Sequence, residues 1–84
     1  MFYEIRFDGN AVKDIRREYK SDLHAINAAY RALGNQPWRP EDGKKRAGFA
    51  EIYECWDGDD LEYLVTVSYG GSILVKVGNQ NGRA

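Results

Sequence analysis

Cysteine occurs once in the 84 residues, at Cys55. Histidine also occurs once, at His24, and proline twice. A lone cysteine closes no disulfide within the chain, which excludes the disulfide-stapled class of small secreted domains. One histidine and one cysteine far apart match no zinc spacing. No apolar run approaches the roughly 18 residues that a membrane-spanning helix needs. The opening Met1-Phe2-Tyr3-Glu4-Ile5-Arg6 carries charges where a signal peptide has its apolar stretch. These lacks predict an intracellular, cytoplasmic protein with no membrane segment, no metal and no cofactor.

Charge of one sign is also lacking: 12 Lys and Arg stand against 13 Asp and Glu. What is present is apolar material, 43% of the chain, with 13% aromatic residues. That excludes intrinsic disorder and predicts one packed domain over residues 1–84. Residues 79–84 read as a polar tail. A chain this short buries only about 60% of the surface it exposes when unfolded. Its core is therefore thin, and a partner or a second copy would help it. The near-neutral total hides a split. Residues 1–50 hold ten of the bases and seven of the acids, whereas residues 51–84 hold two bases and six acids.

Tyr3, Ile5 and Phe7 alternate with Glu4 and Arg6, the pattern of a half-buried strand over 2–7. From 11 to 33 apolar residues recur at Val12, Ile15, Tyr19, Leu23, Ile26, Tyr30 and Leu33, with steps of three and four. That spacing predicts one long helix with Asn10 as its N-cap and Gly34 as its stop. On it Lys13, Arg17, Lys20, His24 and Arg31 form a basic stripe. The rival reading makes Asp8-Gly9 a hairpin turn and residues 12–20 a polar second strand, with Ser21 capping a shorter helix. Residues 34–46 hold two prolines and read as a loop. Three strands follow, at about 47–56, 61–69 and 72–78. The expected fold is α+β: one amphipathic helix on a four-stranded, mainly antiparallel sheet. Its order is β-α-β-β-β, or β-β-α-β-β-β on the rival reading.

Pairing Trp56 with Leu61 across the Asp-rich turn sets Glu54 opposite Tyr63, Ile52 opposite Val65 and Ala50 opposite Val67. A three-residue loop over 70–72 pairs Tyr69 with Ile73. The inner face then carries Ala50, Ile52, Trp56, Leu61, Tyr63, Val65, Val67, Tyr69, Ile73, Val75 and Val77, with Glu54 out of place among them. The outer face presents Phe49, Tyr53, Leu64 and Leu74, with Glu51, Thr66 and Lys76 between. One helix covers one face of a sheet, so this register predicts an exposed apolar and aromatic patch of the kind that marks partner surfaces.

No catalytic constellation assembles, and the sequence reads as a non-enzyme. His24 lies among bases as a solvated surface residue, and nothing electropositive in the local sequence activates Cys55. Asp57-Gly58-Asp59-Asp60 lacks the spaced ligands and terminal Glu of a calcium loop and reads as a turn. Gly43-Lys44-Lys45-Arg46 lacks the spacing of a phosphate loop. The leading expectation is a small protein-binding module using Phe49, Tyr53, Leu64 and Leu74 on the sheet and Asp57, Asp59, Asp60 and Glu62 at its turn. The second is a nucleic-acid-binding regulator using Lys13, Arg17, Lys20, Arg31, Lys44, Lys45 and Arg46, with Trp38 nearby. Against it stands a pI near 5.8, far below the values above about 9 typical of such binders. The third is a structural homodimer that hides the outer face.

In size, surface character and lack of catalytic residues the chain resembles the small accessory proteins of phages and mobile elements, anti-CRISPR proteins among them. Those are often single α+β domains that bind and block a larger machine. The resemblance implies an inhibitor of a CRISPR or other nucleic-acid-processing complex inside the host cell. It rests on no residue motif and carries over no functional residue.

Overall fold

A computed structural model describes residues 1–57 and 60–69, together with the backbone of Ile73–Leu74. The elements are β1 (Phe2–Phe7), β2 (Ile15–Glu18), α1 (Asp22–Gly34), a single 3-10 turn (Pro40–Asp42), β3 (Phe49–Trp56), β4 (Asp60–Ser68) and β5 (Ile73–Leu74). All pairings are antiparallel, in the spatial order β2-β1-β3-β4-β5. The α+β class is as expected, and the element order is that of the rival reading.

The long helix over 11–33 is corrected. Ile15–Glu18 pairs with β1, Ile5 opposite Ile15 and Tyr3 opposite Arg17. Steps of four residues suit a helix, but they are also even, so Ile15 and Tyr19 keep one face of a strand equally well. Strand pairing prevails because the turn before it is locked. Gly9 takes a left-handed φ of 78°, and Asp14 Oδ1 accepts the Phe7 amide at 3.0 Å. The helix begins where a cap is available, with Ser21 Oγ accepting the His24 N–H.

Expected and observed register agree for half of the β3–β4 pair. Ile52 faces Val65 and Ala50 faces Val67. Between Ile52 and Tyr53 the register shifts. Tyr53 then faces Tyr63, Cys55 faces Leu61 and Trp56 faces Asp60. Leu64 is the extra residue of this bulge. One inserted residue reverses every side chain beyond it. Tyr63 and Leu61 therefore move to the outer rows, and Leu64 packs against the core cluster instead of joining the outer patch. Trp56 and Tyr69, expected inside, are 46% and 50% exposed. Ile73 faces Val67 rather than Tyr69. That is a slip of two, which preserves the row it belongs to. Val75, Lys76, Val77 and the 79–84 tail lie outside the described residues.

The core sits between α1 and the sheet. Ala25 and Ala29, one turn apart and fully buried, let the helix approach closely, and Leu33 closes the far end. Beneath them lie Tyr3, Ile5, Phe7, Ala50, Ile52, Val65 and Val67. Side chains tie down the connection from α1 to β3. Gln36 Nε2 donates to the carbonyls of Leu33 and Ala47, and its Oε1 accepts the Ala47 amide at 2.9 Å. Asp8 Oδ1 accepts the amides of Gly48 and Phe49 at 2.7 and 2.8 Å. No helix among the described residues is long and apolar enough to cross a membrane.

Candidate ligand-binding groove

Register places Ile15 and Arg17 of β2 on the α1 side of the sheet, level with Ile5 and Tyr3. Across from them, His24, Ala28 and Arg31 recur at helical spacing along one side of α1. Between these two rows runs a groove of about 370 Å³, lined by Ile15, Arg17, Tyr19, His24, Ala28 and Arg31. Its apolar part is Ile15 and Ala28. Its cationic part is Arg17 of β2 and Arg31 of α1, with the His24 ring also in the lining. The Arg17 guanidinium lies 5.3 Å from the Tyr19 ring centre, and Tyr19 meets Tyr3 edge-on at 5.9 Å. His24 Nδ1 is 2.9 Å from Ser21 Oγ, which orients the ring and leaves Nε2 for another partner.

Among the described residues, Arg17, His24 and Arg31 enter no ion pair. The pairs lie elsewhere: Glu4 with Arg6 and Arg16, Asp8 with Lys45, and the N-terminal ammonium with Glu18. A groove with unpaired cations above an apolar floor can hold an anion that also carries an apolar group.

A second cluster stands beside it. The inner-face row Arg17–Tyr3–Glu54–Glu62 runs across four strands, and Asp22 reaches it from the start of α1. Tyr3 donates its hydroxyl to Asp22 Oδ1 at 2.6 Å. Burial raises the Glu54 carboxyl from the ordinary 4.5 to about 7. A hydrogen bond shared with Asp22 and the charges of Asp22 and Glu62 add to this, while the Trp56 indole pulls the other way. Burial and Asp22 likewise push the Tyr3 hydroxyl above its usual range. Glu54 thus holds its proton up to about pH 7, well above an ordinary carboxyl, at its place facing α1. No group of three or more His, Cys, Asp or Glu among the described residues is placed to hold a metal.

The outer face differs from the apolar patch expected there. Glu4 accepts from Arg6 Nε at 2.5 Å and from Arg16 Nη1 at 3.3 Å. Arg6 lies 4.8 Å from the Tyr53 ring centre, and the Tyr53 hydroxyl donates to Glu51 at 3.1 Å. Tyr63 meets Tyr53 edge-on at 5.8 Å, and its hydroxyl is 2.5 Å from Thr66 Oγ1. The polar groups of this face are paired with one another, as on a solvated sheet. Phe49 lies on it, 39% exposed. Cys55 lies on the same face, its thiol pushed up by burial despite Arg16, and so kept in its unreactive form.

Of the residues expected to bind a protein, then, Phe49 and Tyr53 share the outer face and Leu64 has left it. Leu74 is described by its register opposite Thr66 alone. Asp57 and Asp60 are exposed at the turn end, and Glu62 is exposed in the row of Glu54. Asp59 lies outside the described residues. Of those expected to bind nucleic acid, Arg17 and Arg31 line the groove together. Lys13 and Lys20 are exposed on the connections either side of β2. Lys44, Lys45 and Arg46 lie on the loop over the β1–β2 turn. There Asn10 Oδ1 accepts the Lys45 amide at 2.7 Å, and Arg46 stacks 5.8 Å from Trp38 and 4.2 Å from Tyr69.

Sequence reasoning missed Ile15, Tyr19 and Ala28 as lining residues. It grouped Arg17, His24 and Arg31 on one helix, whereas the groove needs Arg17 on a strand facing the other two. No known protein family matches the chain, and no curated protein or solved structure matches it either.

Proposed function

We propose that this chain is a non-enzymatic binding module that holds an anionic part of a larger partner in the groove between β2 and α1. The observation that carries this reading is the convergence of two arginines without ion pairs, Arg17 of β2 and Arg31 of α1, on a lining shared with the His24 ring, Ile15 and Ala28. Arginines left without an ion pair in a partly apolar concavity bind an anion better than the same side chains on an open surface. The outer face, with its polar groups already satisfied, offers a partner less.

Titration of the isotope-labelled chain with inorganic phosphate tests this by amide chemical shifts. The amides of Arg17, His24, Ala28 and Arg31 are expected to move together and saturate, and Arg31→Gln is expected to abolish saturation. Shifts spread evenly over all lysines and arginines would refute a site in the groove. A second reading, contact with nucleic acid, draws on Arg46, whose guanidinium lies near the rings of both Trp38 and Tyr69. Saturable shifts confined to Lys44, Lys45 and Arg46 would favour it.

A further inference from the structure

We infer that the occupant of this groove is a short acidic segment of a partner protein in which carboxylates flank an aliphatic side chain. The inference rests on the anion-site reading above and goes on to say which anion. Four features of the molecule separate an acidic peptide from a nucleic-acid strand.

The first is the floor. Ile15 and Ala28 share the lining with the arginines, so charge and apolar contact are offered within one groove. A peptide meets both with neighbouring residues, whereas a nucleic-acid backbone presents phosphates and sugars to such a surface and needs flat rings to receive its bases. The second is Tyr19, the largest ring among the described residues lining the groove. Its ring already carries the Arg17 guanidinium and the edge contact with Tyr3, so a base competes with both for that ring.

The third is extent. The row that begins at Arg17 continues through Tyr3 to Glu54 and Glu62, with Asp22 alongside. The positive stretch thus ends within one strand spacing. A phosphodiester chain leaving the groove past the start of α1 would meet the half-buried Asp22 carboxyl. A volume of about 370 Å³ suits a few side chains, being at the small end of ordinary ligand pockets of about 300–1,000 Å³. The fourth is the whole charge. At a net −1, the chain exerts no long-range pull on a polyanion. Two or three carboxylates need none, because arginine forks bind a carboxylate through paired short hydrogen bonds.

Fluorescence anisotropy distinguishes the occupants. The probes are a fluorescein-labelled peptide alternating Glu and Leu, a Lys and Leu peptide of the same length, and a labelled oligo-thymidine. All are measured with the intact chain at low and at physiological salt. The Glu and Leu peptide is expected to bind and the Lys and Leu peptide to fail. Arg31→Gln is expected to weaken the acidic peptide by about tenfold. Arg31 is exposed in the last turn of α1, so its loss spares the core. His24→Ala is a second variant, should Arg17→Gln disturb the Tyr19 contact. Binding of oligo-thymidine alone, weakened by Arg31→Gln, would overturn the peptide as occupant while leaving the groove an anion site. No binding by any probe at low salt would overturn both readings. So would binding of the acidic peptide that neither Arg31→Gln nor His24→Ala alters.

Discussion

Gly9 shows how much a single residue decides here. Its φ of 78° is a conformation that side-chain-bearing residues adopt at a cost, and a Cβ built on it would lie 2.6 Å from the Lys45 carbonyl oxygen. That carbonyl accepts the amides of Asn10 and Ala11, so the β1–β2 turn and the 44–46 loop hold each other in place through a contact only glycine permits. Gly43 has a similar φ of 71° but open space around it. Gly9→Ala is expected to destabilise the fold by more than the about 1–2 kcal/mol that left-handed strain alone costs, and Gly43→Ala by about that amount. Urea unfolding of the two variants checks this; equal losses would show that the Lys45 contact does not matter. The glycine was readable in the sequence as part of an Asp-Gly turn. Its second role was not, because Lys45 is remote in the chain.

Among the elements, α1 depends on contacts at both ends. Ser21 caps its start, and Gln36 fastens the chain beyond its end to Ala47. Between α1 and β3 the Asp22–Glu54 carboxyl pair acts as a clamp while Glu54 keeps its proton. The charged and titratable groups around Glu54 are Asp22 from α1, Tyr3 from β1 and Glu62 from β4. With Glu54 raised from 4.5 to about 7, the folded state holds a proton that the unfolded chain has released across that interval. Stability is therefore expected to fall as pH rises from about 4.5 to 7, and to level off above. Thermal melts across this range check the slope, and Glu54→Gln is expected to flatten it. A slope that survives Glu54→Gln would place its source elsewhere.

β2 and the β3–β4 bulge are the elements that local sequence left open. Residues 11–20 suit both periods, and nothing in residues 60–65 announces an inserted residue. Leu64, Tyr63 and Leu61 have the same alternation with a bulge as without one. The bulge is settled by the need to bury Leu64 and Val65 together against α1 and to leave Tyr63 beside Tyr53.

At the scale of the molecule, the described residues form one helix and a five-stranded sheet around a thin core. A chain of 84 residues has a total stability of about 4–13 kcal/mol by the usual per-residue range. Ile52 lies at its centre, fully buried between Ile5 and Val65 in the sheet. Ile52→Ala is expected to cost about 2–5 kcal/mol, a large share of that total. The measurement is the urea midpoint and its slope. A loss under 1 kcal/mol, small beside the usual cost of emptying such a site, would mean that the core is held by other contacts.

The sequence by itself determined the α+β class, the strands β1, β3 and β4, the register of Ile52 with Val65 and the segregation of charge. Each of these follows from patterns within a few residues, which side-chain periodicity expresses directly. Tertiary structure alone decided whether residues 15–18 became strand or helix, on which face Tyr63 and Leu64 fall, and that Arg17 meets His24 and Arg31 across a groove. Those outcomes depend on backbone pairing and helix docking between residues far apart in the chain. Local alternation is the same whichever partner the backbone finds, so the basic stripe was visible in the sequence while the site it forms was not.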